Sequence, residues 1–387
     1  MRRHLRITAV LCISILLAGC GGAKEGPSAA SETAETTAAP ETETVPETET
    51  VPETPDYESM VTGTQYSMDN VNVREKPDTD SETLGMLNPD DEVAFIRQTD
   101  DEWTEVLFQG RPAYVASKYL TEDKDWKQHL VTKNGYADGD RIGLESVWRF
   151  SDFSEIHTGT AVMYVAQSDR KNIIVGVNAG HGTKGGTSKK TWCHPDKTPK
   201  ITGGSTKAGA TKAAAVSDGM SFKDGTPESW VTLQTAQSLC RLLLKEGYDV
   251  LMIRDEEDVQ LDNVARTVIC NNAADCHIAI HYDGDDLNYD KGCFYMSVPD
   301  GLKYLDSVAS TWEESERLGD CLIEGLREYD WKIWNDGKID LDLTQTSYST
   351  VPSVDIELGN QCSDISEQVI FEKAMGLARG IDLFFGQ

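Results

Sequence analysis

The second half of the chain alternates strand-like and helix-like patterns, and this alternation most constrains its fold. A continuous apolar run typical of a buried strand lies at 173–178, and further strands are predicted at 249–253, 277–281, 293–298 and 354–358. Apolar residues at helical spacing lie near 226–247, 261–273, 311–329 and 366–385. Strands that alternate with helices form parallel sheets covered on both faces. We therefore predict an α/β domain over 170–387, with a mostly parallel twisted sheet and helices on both faces.

Within this domain, the first helix has a clear start signal. Thr226, Pro227 and Glu228 have the types expected of an N-cap, a first helical residue and a first turn. We therefore predict that the helix begins at Pro227.

Three regions of different character precede this domain. Residues 61–122 contain short β-prone runs separated by turn residues, which predicts a small all-β barrel. Residues 20–60 include a stretch rich in Glu, Thr and Pro that has too few aliphatic side chains for a core, so we interpret it as a disordered tether. Residues 123–169 give no clear pattern, and they are either a linker or an N-terminal extension of the α/β domain.

The N-terminus predicts export. Three arginines within the first six residues precede an apolar run at 7–17 that is too short to span a bilayer, which is typical of a signal peptide over 1–19. The sequence Leu-Ala-Gly-Cys ending at Cys20 resembles the lipobox of bacterial lipoproteins. The resemblance implies lipidation of Cys20 and a membrane-anchored protein on the outer face of the cytoplasmic membrane, facing the cell wall. The alternative is an ordinary signal peptide followed by a chance cysteine.

Charge and cysteine content narrow the partners and the redox state. The net charge of −29 excludes bulk electrostatic binding of nucleic acid. Seven cysteines remain after Cys12 and Cys20 are set aside, so at least one is unpaired. Most lie within apolar patterns, and Cys193 with Cys362 is the only pair that we consider for a disulfide bridge.

Four polar residues follow predicted strands or open a predicted helix: His181, Glu228, His281 and Glu357. Each has a structural alternative. His181 could belong to a common Gly-His-Gly turn, and Glu228 could only complement the helix dipole. His281 could be a core histidine, and Glu357 could lie on the solvated face of an edge strand. Together they suit metal chemistry, because two imidazoles and a carboxylate can hold catalytic Zn²⁺. A second carboxylate can then move the proton of a water molecule.

The residues around these positions resemble a known family. The segments IIVGVNAGHG, PESWVTLQTAQSLCRLLLKEGYDVLMIRD, LDNVARTVICNNAADCHIAIH and VPSVDIELG are similar, in this order, to zinc-dependent N-acetylmuramoyl-L-alanine amidases of the third amidase family. The resemblance implies an amidase/phosphorylase-like fold, with His181, Glu228 and His281 as zinc ligands and Glu357 as the catalytic glutamate. It also implies cleavage of peptidoglycan between muramic acid and the L-alanine of the stem peptide. Arg266 matches an arginine that we interpret as structural rather than substrate-binding.

The β-prone region has a resemblance of its own. VNVREKP and GRPAYVASKYL are similar to bacterial SH3 domains, which implies either cell-wall binding or a spacer role. Trp103 and Tyr114 are candidates for a ligand cleft, although buried barrel aromatics would produce the same pattern.

The chain also departs from the amidase pattern. Asn178 and Ala179 replace the usual Asp-Pro, Tyr282 and Asp283 replace the usual Ala-Asn, and residues 359–362 differ from the usual Gly-Phe and Ser-Asn. These changes put substrate contacts in doubt and leave the metal chemistry possible.

An unusually long segment, 182–227, separates His181 from Glu228 and contains eight lysines and three acidic residues. It is either a lid that attracts stem-peptide carboxylates or a solvated insert. Cys193 and His194 within it are weak evidence for a second metal site. Two other functions remain open for the whole chain, a zinc peptidase of wall peptides and a catalytically idle wall-binding lipoprotein.

Overall fold

The computed structural model describes residues 56–99 and 102–387. The predicted signal peptide, Cys20 and the tether up to residue 55 lie outside the described residues. Among the residues described, no helix combines the length and apolar character needed to cross a membrane.

The N-terminal module is a seven-stranded antiparallel sheet. Its strands are β1 (Gly63–Ser67), β2 (Val71–Arg74), β3 (Thr83–Leu87), β4 (Glu92–Gln98), β5 (Trp103–Phe108), β6 (Arg111–Ala116) and β7 (Leu120–Thr121), in the order β3-β2-β6-β5-β4-β1-β7. Alternating residues such as Val71, Val73, Val106 and Val115 form its apolar core. This confirms the small all-β module.

The proposed aromatic cleft of this module is not open. Trp103 is only 8% exposed. Tyr114 is half-buried, and its hydroxyl donates a hydrogen bond to Glu105 at 3.2 Å. The interpretation of Trp103 as a buried aromatic is therefore the one that agrees with the structure.

The α/β domain is built on one eight-stranded sheet. A short helix α1 (Trp126–His129) precedes this sheet. The strands of the sheet are β8 (Arg141–Gly143), β9 (Thr160–Tyr164), β10 (Ile174–Ala179), β13 (Asp249–Met252), β14 (Cys276–Asp283), β15 (Cys293–Ser297), β16 (Ile333–Asp340) and β17 (Ser353–Asn360). Strands β11 (Lys190–Trp192) and β12 (Lys212–Ala214) form a separate hairpin. The sheet order is β16-β15-β17-β14-β10-β13-β9-β8.

The sheet is parallel in its middle and mixed at its flanks. Strands β13, β10, β14 and β17 pair in parallel. On one side β9 runs antiparallel to β13 and to β8, and on the other side β15 runs antiparallel to β17. The predicted parallel core is thus confirmed, and residues 141–164 add two antiparallel strands to it.

Helices cover both faces, as predicted. The remaining helices are α2 (Glu228–Lys245), α3 (Asn263–Ala273), α4 (Trp312–Glu328), α5 (Thr344–Tyr348) and α6 (Glu367–Phe385). Successive strand residues point to opposite faces: Val175 and Val177 pack in a core with α2, α4 and α6, whereas Ile174 packs in a core with α3.

The start of α2 differs by one residue from the prediction. Pro227 is its N-cap in extended conformation, and the first helical residue is Glu228. The reason is that Pro227 forms an antiparallel bridge with Ser221, and the Phe222 N–H donates to the Thr226 carbonyl. These contacts hold the chain extended until Glu228.

Candidate metal centre

His181 lies in a tight turn directly after β10. It adopts a left-handed backbone conformation with φ of 65°, and Gly182 follows with φ of 68°. Gly180 is required by close packing, because a Cβ there would lie 2.3 Å from the His281 ring. The glycines therefore let the strand turn sharply and bring the two imidazoles together.

Three predicted residues converge on one point. Glu228 opens α2, and His281 lies near the carboxyl end of β14. His181 Nε2 lies 2.9 Å from Glu228 Oε1 and 3.0 Å from His281 Nδ1, and the latter lies 3.0 Å from Glu228 Oε1. This is the one group of side chains in the described part of the chain that could hold a metal ion. Two imidazole nitrogens and a carboxylate oxygen fit the donor set of a catalytic zinc site.

Backbone groups orient these side chains. His181 Nδ1 lies 2.8 Å from the Ser217 carbonyl, so Nδ1–H donates there and the lone pair of Nε2 faces the cluster. The N–H groups of Met220 and Tyr282 donate to Glu228 at 2.9 and 3.0 Å. Ser217 and Met220 belong to the long 182–227 segment, which therefore helps to build the centre.

The cluster favours a charged glutamate. Burial alone would raise the pKa of Glu228, but the interactions of its carboxylate with the His181 and His281 rings outweigh burial and lower this pKa below its usual value. Burial alone would lower the pKa of His281, but the nearby charges of Asp355 and Glu228 outweigh burial and raise this pKa. Glu228 is thus an ionised carboxylate, the form that binds a metal.

Glu357 lies beside this cluster on β17, directly opposite His281 in the parallel register. It is 7% exposed, and its Oε2 has no hydrogen-bond partner among the described residues. Burial, followed by the charges of Asp355 and Glu228, raises the pKa of Glu357 well above the ordinary value. Strand β17 lies between β15 and β14, so the alternative of a solvated edge strand is wrong.

Asp355 is a residue of the site that sequence reasoning missed. It lies two residues before Glu357, and its Oδ2 is 3.7 Å from His281 Nε2. Its Oδ1 is buried without a hydrogen-bond partner among the described residues. The signal was present in the sequence, because two acids at alternate positions of an otherwise apolar strand point to the same face.

Arg266 supports the turn that carries His181. It is 1% exposed and donates to the carbonyls of Ala179 and His181 at 3.1 and 2.6 Å, among other acceptors. Arg254, which the sequence did not single out, donates to the Ala179 and Gly180 carbonyls at 3.1 and 2.9 Å. Burial lowers the pKa of Arg266 to about 9 and that of Arg254 to about 10.

A cavity of about 650 Å³ opens over the cluster. The cluster and Glu357 line its floor, and segments 203–206, 213–220 and 341–345 line its walls. Lys200 is the only lysine of the 182–227 segment that lines the cavity, and its ammonium lies 3.3 Å from Asp342 Oδ1. Most of the positive charge predicted to attract substrate carboxylates therefore lies elsewhere.

The pair Cys193 and His194 does not form a second metal site. His194 is fully buried, with Nε2 at 2.9 Å from Asp342 Oδ1 and Nδ1 at 2.9 Å from Thr198 Oγ1. Cys193 and Cys362 are both free thiols, so the bridge considered for them is absent, and the other five cysteines of the described residues are free as well.

Several known proteins and protein families are similar to parts of this chain. The sequence profile of the bacterial SH3 domain matches residues 69–121. No match was found among curated proteins. Similar solved structures include an N-acetylmuramyl-L-alanine amidase from Mycobacterium smegmatis, 17% identical, covering 55% of this chain and 97% of that chain with a TM-score of 0.47. An N-acetylmuramoyl-L-alanine amidase from Clostridium difficile is 16% identical, with 56% and 97% covered and a TM-score of 0.41. One from Nostoc punctiforme is 18% identical, with 56% and 99% covered and a TM-score of 0.39.

The profile described as N-acetylmuramoyl-L-alanine amidase matches residues 175–381. This range is more than half of the chain of 387 residues, and it includes the metal-ligating cluster and Glu357. The chain therefore belongs to the N-acetylmuramoyl-L-alanine amidase family.

Proposed function

We propose that this protein is a membrane-anchored zinc amidase that hydrolyses the bond between the lactyl group of muramic acid and L-alanine in peptidoglycan. His181, Glu228 and His281 would hold Zn²⁺, and Glu357 would act as the proton carrier. The observation that carries the proposal is the convergence of the three donors beside a buried carboxyl group without a hydrogen-bond partner, on the floor of one cavity.

Zinc bound by these three residues would supply the charge that lowers the pKa of a water molecule and polarises the amide carbonyl. The raised pKa of Glu357 suits it to the proton transfers of amide hydrolysis. Glu357 accepts a proton from water as the oxygen of that water adds to the lactyl carbonyl carbon. It then gives the proton to the nitrogen of L-alanine as the C–N bond breaks.

The segments outside the catalytic domain fit delivery of this activity to the wall. We propose residues 1–19 as a signal peptide, 20–60 as a lipidated cysteine with its tether, 61–122 as the SH3-like domain and 170–387 as the amidase domain. Residues 123–169 join the last two, and their strands β8 and β9 extend the catalytic sheet. Lipid on Cys20 would hold the enzyme at the outer face of the cytoplasmic membrane.

Product analysis tests the proposed reaction. Full-length protein is incubated with muropeptides before and after chelation and re-addition of zinc, and the products are identified by mass. We expect an intact stem peptide with a free L-alanine amine, formed only when zinc is present. A shortened peptide that stays attached to sugar would identify a peptidase instead, and no product under any condition would favour an idle wall-binding protein.

A further inference from the structure

A second pocket, of about 330 Å³, borders the metal centre on the other side of the His181 turn. Residues 182–184, which follow His181, form one wall, and Ser229 and Trp230, which follow Glu228, form another. Asp218 lines this pocket and also the larger cavity above the metal centre. The two cavities are therefore neighbours that share Asp218 in their lining.

The second pocket has an aromatic wall that nothing in the fold requires. Trp230 is 42% exposed, and no other tryptophan in the described part of the chain is classed as exposed. Pro227 and Leu233 extend this apolar wall. Ser229 and the exposed carboxylate of Glu257 provide polar groups at the same pocket.

An exposed aromatic ring next to hydroxyl and carboxylate groups matches the chemistry of a sugar. A pyranose has an apolar C–H face that packs on an aromatic ring, and its hydroxyl groups donate hydrogen bonds to carboxylates. Two carboxylates, of Asp218 and Glu257, line this pocket against one ammonium, that of Lys184, which lies 4.0 Å from Asp258 Oδ2. The pocket therefore has no net positive charge to attract an anionic ligand. A neutral sugar unit is therefore a better occupant than a stem-peptide carboxylate.

We infer that the Trp230 pocket is a binding subsite for N-acetylhexosamine units of the peptidoglycan glycan strand. This inference rests on the proposed function, because the scissile amide of that substrate has sugar on one side and peptide on the other. The larger cavity, which contains the metal centre and the walls built by segments 203–206 and 341–345, then holds the stem peptide. Trp230 is a specificity-determining residue that contacts the sugar and takes no part in the bond cleavage.

A peptide-free glycan separates this inference from the amidase reaction. Full-length protein is titrated with a β-1,4-linked tetramer of N-acetylglucosamine, which has no amide of the cleaved type, and the Kd is measured by calorimetry. We expect Trp230→Ala to weaken binding about tenfold or more, and Trp230→Phe to retain most of it because the ring remains. Phe371→Ala is the matched control, because Phe371 is a 40% exposed aromatic residue on a helix and lies in neither cavity.

The outcomes are distinguishable from failure of the proposed function. The inference is overturned if the wild-type protein does not bind the tetramer, if Trp230→Ala binds as the wild type does, or if Phe371→Ala weakens binding equally. Release of stem peptide from muropeptides is measured in parallel. Release without Trp230-dependent glycan binding refutes the subsite alone, whereas Trp230-dependent binding without release refutes the amidase assignment and leaves the subsite supported.

Discussion

Arg266→Lys tests whether this arginine supports the His181 turn or binds substrate. A guanidinium group has five N–H donors, and in Arg266 all five are used within the fold. The acceptors lie at 2.6–3.1 Å and are Leu261 O, Asn178 Oδ1, Ala179 O, His181 O and Thr183 Oγ1. No donor is left for a ligand, so we interpret Arg266 as structural.

The magnitude of the effect follows from counting donors. A lysine ammonium has three donors, so at least two of the five hydrogen bonds of Arg266 are lost. Each hydrogen bond to a charged group contributes about 1.5–3 kcal/mol, which gives a loss of about 3–6 kcal/mol in the free energy of unfolding of the catalytic domain. This is a large part of the roughly 5–15 kcal/mol typical of a folded domain. Since the His181 carbonyl is one of the acceptors, zinc affinity should fall as well.

Urea unfolding and zinc titration of the full-length variant measure these two quantities. Arg141→Lys is the control, because the Arg141 side chain is 63% exposed and its nearest carboxylate contact is 3.7 Å long, so we expect a change below about 0.5 kcal/mol. Our reasoning would be refuted if Arg266→Lys unfolded like the wild type and bound zinc normally while its KM for muropeptides rose. That result would show a donor that reaches the substrate.

Three further predictions test other parts of the site. Glu357→Gln should abolish turnover and keep zinc bound, whereas His181→Ala should lose zinc. Metal analysis after dialysis measures the zinc content of both variants. Loss of zinc from Glu357→Gln would show that the roles of these residues are exchanged. Burial and the charge of Arg266 lower the pKa of His277 to about 3. Above pH 6.5 His277 therefore does not affect the free energy of unfolding. As the pH falls from 6.5 to 3, His277 is protonated only in the unfolded state, and the free energy of unfolding decreases by up to about 5 kcal/mol. His277→Gln should remove that component from urea unfolding measured across this range, and an unchanged slope would contradict it. Asp342→Asn leaves the buried ammonium of Lys200 without its ionic partner, which should cost about 3–5 kcal/mol of stability. Limited proteolysis should therefore cut the 182–227 segment faster than in the wild type. An equal rate would show that Asp342 does not anchor the segment.

The sequence predicted the parts of the fold that depend on local patterns. The five predicted strands lie within about two residues of their predicted bounds, because strands buried on both faces are rich in apolar residues. Strands β8, β9 and β16 were not predicted. Strands β8 and β16 lie at the two edges of the sheet and bury one residue each, so their apolar signal is weak. Strand β9 buries three of its five residues but lies in the 123–169 region, where no clear pattern was found. The pairing of all three strands depends on long-range contacts that no local pattern encodes.

The candidate site was predictable for a related reason. His181, His281 and Glu357 each follow or end a parallel strand, and the carboxyl ends of parallel strands meet at one edge of the sheet. The contributions of Ser217 and Met220 could not be predicted in this way. They come from a long loop, whose path is set by the buried contacts of His194 with Asp342 and Thr198 rather than by any periodic pattern.

One departure from the amidase pattern has a direct structural explanation. Asn178 replaces the usual aspartate, and its amide makes two different bonds: Oδ1 accepts from Arg266 at 3.0 Å, and Nδ2 lies 3.2 Å from His277 Nε2. An aspartate could also accept from Arg266, but it has no donor for His277 and would require the other neutral tautomer, in which Nε2–H of His277 donates. The low pKa of His277 keeps that imidazole neutral, so the asparagine and the histidine fit each other.

The departures at Asn360 and Gln361 are also tied to neighbouring groups, and they leave His181, Glu228 and His281 in place. Asn360 donates to Asp285 Oδ1 and to the Tyr289 carbonyl at 3.0 and 3.1 Å, and Gln361 donates to the Leu287 carbonyl at 2.9 Å. These side chains thus hold the 285–289 loop, and their hydrogen bonds are used within the protein. The 285–289 loop directly follows Asp283 and Gly284, which line the cavity above the cluster. We therefore expect these departures to affect the cavity through the position of this loop, and to leave the three candidate metal ligands unchanged.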